Sequence, residues 1–80
     1  MLELYQRESC PFCQPVRQLL TDLQVDYIIR NQPKDRTQRT ELISLTDVPY
    51  IPALKQGEEV IAGRLEECEH ILDYIRKTFS

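Results

Sequence analysis

The sequence has no apolar run that approaches a membrane span, which needs about 20 consecutive apolar residues. Its opening, MLELYQRES, lacks both the basic start and the long apolar middle of a secretory signal. There is no excess of positive charge either. Ten Lys and Arg stand against thirteen Asp and Glu, a formal net charge of −3, so the basic footprint of a nucleic-acid binder is missing. Repeats and low-complexity linkers are absent, and eighty residues make one domain, 1–80, with a single small core. Cysteine is scarce as well. Three cysteines cannot all pair with one another, which with the missing signal argues against a disulfide-stapled scaffold. The expected setting is the cytoplasm, where disulfides are transient and catalytic. A monomer is the expected state, with no membrane partner.

The composition, 41% apolar and 29% charged, suits a globular fold. LELYQ (2–6) alternates apolar and polar residues, the mark of a half-buried strand. Val16, Leu19, Leu20 and Leu23 recur at helical spacing and predict a helix over 11–23. VDYII (25–29) reads as a second strand, and Pro33 breaks the loop that follows. A shorter helix is expected over 36–45, with Leu42, Ile43 and Leu45 inward. PALKQGEEVIA (52–62) reads as a hairpin around Gly57, and a last helix over 65–78 buries Leu65, Cys68, Ile71, Leu72 and Ile75. The order is β-α-β-α-β-β-α, which implies a four-stranded mixed sheet with helices on both faces. Charge is uneven along the chain. RNQPKDRTQR (30–39) is basic and EEVIAGRLEECE (58–69) acidic; these are two solvated faces, or the basic run attracts an acidic partner.

The chemistry concentrates in YQRESCPFCQPVRQLL (5–20), where Cys10 and Cys13 stand three apart at a strand-to-helix junction. An ordinary thiol, with a pKa near 8.5, is only roughly 3% ionised at pH 7. Free N–H groups and the dipole at a helix start favour an anion. With Cys10 at the N-cap and Pro11 at N1, the N–H groups of Phe12 and Cys13 would point at the Cys10 sulfur. Spacing of three puts both sulfurs on one helix face, within bonding reach. Cys10 is then the attacking thiol and Cys13, more buried, the resolving one. A zinc site would want four ligands. Only Cys68 and His70 remain to help, and two residues apart on a helix they face different ways; no metal is expected. His70 falls on the solvated side. Pro15, inside the first turns, predicts a late or kinked helix start.

CPFC after YQRES and before VRQLL resembles the C-P-[FY]-C active site of dithiol glutaredoxins, and the element order over nearly the whole chain is that of the thioredoxin fold. IPALKQGEEVIAGRLEECEHILDYI is similar to the N-terminal domain of glutathione transferases, with Cys68 where those have Ser. The resemblance implies a thiol–disulfide oxidoreductase with glutathione as co-substrate, no bound cofactor, and disulfide-containing or glutathionylated proteins as partners. It implies a cis proline beside the site. Pro52 is preferred to Pro49, because with Pro49 as the cis residue Pro52 would fall inside the strand, where its missing N–H would break the ladder. By the same resemblance Arg7 neutralises the glycine carboxylate of glutathione and Pro11 and Phe12 flank the tripeptide. The Ile51 backbone pairs with its cysteinyl part beside Pro52, and Glu67 with Cys68 meets the γ-glutamyl end. Glutathione transferase activity needs a helical second domain, for which eighty residues have no room. The competing expectation is a non-catalytic glutathione-binding or interaction module of the same fold.

Overall fold

Alternation in LELYQ decides which way the first strand faces. In the computed structural model, which describes all 80 residues, this segment is strand β1 (Leu2–Gln6). Its Leu2 and Leu4 join one apolar cluster, while Tyr5 joins another on the opposite face of the sheet. The elements that follow are helix α1 (Gln14–Asp22), strand β2 (Ile28–Asn31), a 3-10 turn (Arg36–Gln38) and helix α2 (Thr40–Thr46). Strands β3 (Ala53–Gln56) and β4 (Glu59–Ile61) and helix α3 (Glu69–Phe79) complete the chain. The sheet order is β2-β1-β3-β4, with β2 parallel to β1 and the other pairs antiparallel. This is the α/β thioredoxin fold.

Two layers flank the sheet. On one face Leu2, Leu4 and Leu54 pack with Val16 and Leu20 of α1 and with Ile71, Leu72 and Ile75 of α3. On the other face Tyr5 and Ala53 pack with Leu42 of α2 and with Cys13. Each fully buried aliphatic side chain contributes about 1.5–3 kcal/mol, so the larger α1–α3 layer carries most of the stability. No helix is long and apolar enough to cross a membrane.

Helix α1 starts at Gln14, three residues later than its apolar period implies, with Cys13 rather than Cys10 at the N-cap. Pro15 is the reason. In a helix from Pro11 it would remove an interior hydrogen bond; starting at Gln14 puts it in the first turn, where no N–H is required. At the other end Gln24 adopts φ 57°. The N–H of Val25 then donates to Leu20 O at 2.9 Å and that of Gln24 to Thr21 O at 3.0 Å, a Schellman stop. Because Val25 closes the helix, β2 begins at Ile28 instead of 25, pairing Glu3 with Ile28 and Gln6 with Asn31.

The expected 36–45 helix divides at Arg39. Asp35 caps the 3-10 turn by accepting from the Thr37 N–H at 2.9 Å, and Arg39 leaves the helical region with ψ 59° before α2 begins. Helix α3 also starts later than expected. Glu66 takes φ 52°, which breaks the backbone short of Glu69 and leaves Leu65 52% exposed rather than buried. His70 is half-buried, not solvated, with Nε2 2.7 Å from Ala62 O. Between β3 and β4, Gly57 at φ 61° supplies the left-handed residue that the two-residue turn requires.

Candidate active site

Strand β1 ends at a knot of polar side chains. Gln6 is fully buried; its amide donates to Asn31 Oδ1 at 2.6 Å and its carbonyl accepts from Arg17 Nη1. Arg17 also reaches Arg7 O at 3.3 Å and Glu8 at 3.5 Å. The end of β1, the start of α1 and the end of β2 are thereby tied together directly beneath the cysteines.

The chain then turns tightly into α1. The N–H of Cys10 donates to Arg7 O at 3.1 Å, that of Cys13 to Cys10 O at 3.2 Å, and that of Arg17 to Cys13 O at 3.0 Å. The Cys13 N–H is thus committed to a carbonyl rather than aimed at the Cys10 sulfur. Cys10 stands half-buried and Cys13 wholly buried, both as free thiols. Burial, reinforced by the adjacent Cys10 thiol against a backbone hydrogen bond from Arg7, pushes Cys13 up to about 12. Burial also raises the Cys68 thiol, with Glu69 adding to it. Of the three, Cys10 is the sulfur that a solute can reach.

Cys10 opens onto a cleft of about 300 Å³. Arg7, Pro11, Phe12 and Ile51 line it with Cys10. Pro52 lies behind this wall, fully buried, and the Ile51–Pro52 peptide bond is cis. Glu67 and Cys68 are not on the wall. Glu67 pairs with Arg64 at 3.3 Å, and Cys68, at the N-cap of α3, is packed into the larger core cluster. Their places on the wall are held by Arg64, Leu65 and Glu66, because the left-handed Glu66 turns this segment outward. No three of the chain's His, Cys, Asp and Glu side chains come together as a metal site would need.

Sequence reasoning missed Arg36, Arg39 and Tyr50, which close the far side of the cleft. Arg36 lies over the Tyr50 ring, 5.9 Å from its centroid, a cation–π distance. Arg39 is only 5% exposed. Its Nε donates to Pro33 O at 2.8 Å, Nη1 to Pro49 O at 2.8 Å and Nη2 to Lys34 O at 3.3 Å. The signal was present in the basic run 30–39, but nothing local to the sequence marks one of its arginines as buried.

The glutaredoxin family model matches residues 2–61, from β1 through β4. The chain belongs to the glutaredoxin family. It is 25% identical over 63 residues to an uncharacterized glutaredoxin-like 8.6 kDa protein in the rubredoxin operon of Clostridium pasteurianum, covering 79% of this chain and 84% of that one. The glutaredoxin grx-1 of Archaeoglobus fulgidus superposes with a TM-score of 0.67 at 19% identity, over 94% of this chain and 85% of that one. A delta-class glutathione transferase of Nilaparvata lugens superposes with a TM-score of 0.82 at 21% identity. All of this chain is covered in that match, but it spans only 37% of the transferase's length. At such identities the two structures speak for the fold. The glutaredoxin match includes both cysteines and the Ile51–Pro52 bond and stops short of Arg64 and α3.

Proposed function

We propose that the protein is a glutathione-linked thiol–disulfide oxidoreductase working in the cytoplasm through Cys10 and Cys13. The observation that carries this reading is one accessible thiol in a cationic cleft with a second, buried thiol beside it. The Cys10 thiolate attacks one sulfur of a substrate disulfide, forming a mixed disulfide and expelling the other sulfur as a thiolate, which takes up a proton. Cys13, giving up its proton, attacks Cys10 Sγ and releases the second substrate thiol. The substrate gains two electrons and the Cys10–Cys13 disulfide holds the oxidation. Two molecules of glutathione reverse it by the same exchange, leaving as glutathione disulfide.

Burial of Cys13 fits the order of events. A thiol held protonated does not compete with Cys10 for substrate. Once Cys10 is in the mixed disulfide, the part of the Cys13 shift owed to the Cys10 thiol is gone, and Cys13 lies beside the sulfur it attacks. In this reading the Ile51 backbone pairs with the cysteinyl part of glutathione, with Pro52 shaping the wall behind it. Arg7, whose Nη1 already donates to Gln32 O at 3.1 Å, neutralises the glycine carboxylate, and Pro11 and Phe12 flank the tripeptide. Arg64 and Glu66, rather than Glu67 and Cys68, meet the γ-glutamyl carboxylate and ammonium.

Turnover of a glutathione mixed disulfide, coupled to glutathione reductase and NADPH, tests the proposal. Wild type is expected to turn over and Cys10→Ser to show none. A folded wild type that binds glutathione without turnover would replace the enzyme with a binding module.

A further inference from the structure

The cleft is far more cationic than the chain around it. Arg7, Arg36, Arg39 and Arg64 all line it, against Glu66 as its one carboxylate, in a protein whose net charge is −3. Arg7, Arg36 and Arg39 take part in no ion pair. Asp35, the residue before Arg36, is committed to the N–H and hydroxyl of Thr37, at 2.9 and 2.7 Å.

Arg39 is the unusual member. Three neutral carbonyls fix its guanidinium and leave two of its five donors uncommitted. A staple between loops requires donors, but not a buried positive charge. Burial disfavours that charge first, and Arg7 and Arg36 add to it, while the two thiols, when ionised, favour it. A charge so placed lacks a counter-ion that the fold does not supply.

We propose that this arginine cleft selects disulfides flanked by acidic residues, presented by an acidic peptide segment of a protein partner, with Arg39 as its fixed cation. The inference rests on the reading of Cys10 as the attacking thiol. An extended segment entering the cleft would set its half-cystine at Cys10 and its carboxylates on either side against Arg36, Arg39 and Arg64. A basic segment would meet three unpaired guanidiniums and be turned away. Selection of this kind raises encounter rates and fades as salt screens it.

The test uses two pentapeptides that carry a central cysteine disulfide-linked to 2-mercaptoethanol, one flanked by Asp and the other by Lys. Reduced wild type in single turnover at low salt is expected to reduce the acidic peptide at least about tenfold faster. That ratio is expected to fall toward one in roughly 0.5 M salt. Arg39→Gln is expected to cut the ratio about threefold or more, and Arg39→Lys to keep most of it. Equal rates at low salt, or a ratio insensitive to salt, would overturn the proposal even if Arg39→Gln does not fold.

Alkylation of Cys10 by iodoacetate and by iodoacetamide provides a readout that needs no disulfide exchange. Iodoacetate is expected to gain on iodoacetamide in wild type at low salt and to lose that gain in Arg39→Gln. If neither peptide is reduced but the iodoacetate preference holds, the oxidoreductase reading fails and the anion-selective cleft stands. If the preference is missing, the cleft fails.

Discussion

Gly63 lies against the backbone of Tyr50. A β-carbon built on it would sit 2.2 Å from the Tyr50 carbonyl oxygen and 2.8 Å from that of Pro52. Those atoms belong to main chain on both sides of the cis bond and cannot swing away as a side chain could. Gly63→Ala must therefore push the 63–66 loop off the cleft wall. The expected cost is about 1–3 kcal/mol, read as a lower midpoint in urea unfolding, together with slower reaction at Cys10. An unchanged midpoint would mean that the loop does not rest on Tyr50.

Alkali should weaken the fold through two buried groups. Cys13 is raised from 9.0 to about 12. Tyr5 is raised from 10.0 to about 12, by burial and by donating to Glu41 Oε1 at 3.0 Å. Both hold their protons more tightly folded than unfolded, so the stability they confer is intact below about pH 9. It is lost as pH rises toward 12, by about 1.4 kcal/mol for each unit by which a group is raised. Urea midpoints of the reduced protein between pH 7 and 11 should fall, and Tyr5→Phe should flatten the upper part of that fall. A midpoint independent of pH above 9 would contradict the burial of both groups.

Replacing Cys13 separates the two halves of the exchange. Cys13→Ser keeps the accessible thiol, so attack on a glutathione mixed disulfide should persist. Reduction of an intramolecular protein disulfide should stall at the covalent complex, because no second thiol resolves it. Mass spectrometry of the quenched reaction should show that complex with Cys13→Ser and not with wild type. Its absence would assign the resolving step to another thiol.

The knot under the cysteines should be sensitive to one deletion. Gln6 is buried between Arg17 and Asn31, and Gln6→Leu leaves both partners without it. A loss of about 1–3 kcal/mol is expected, from the desolvated groups left behind. Faster hydrogen exchange at the β1–β2 junction should accompany it. Stability equal to wild type would mean that water replaces the amide without penalty.

Much of this was legible because short-range patterns carry it. Period-two alternation placed β1 at its observed limits, and helical spacing found Val16, Leu20, Ile71, Leu72 and Ile75 in the core. Pro15 foretold the late start of α1, and the resemblance implied a cis proline that the missing N–H argument fixed at Pro52. Two of the errors share a source, a single residue leaving the expected backbone region. Glu66 at φ 52° moved the start of α3 and brought Leu65 to the cleft, and Arg39 at ψ 59° divided the helix before Thr40. Neither is glycine, so composition gave no warning. Arg39 also shows the limit of reading charge locally, because its acceptors at Pro33, Lys34 and Pro49 come together only in the folded chain.

Strand β1 carries the redox turn at its end, yet one of its two neighbours is β3, where Leu2 pairs with Gln56 and Tyr5 with Ala53. On a ribosome, the cysteines therefore emerge long before the strand that completes their support. Until residue 56 is out of the exit tunnel, Cys13 has no Ala53 and Ile51 to pack against and is as open to oxidants as Cys10. A fragment of residues 1–45, which lacks Ile51 and Ala53, should lose both thiols to iodoacetamide at similar rates, whereas the full chain should lose Cys10 alone.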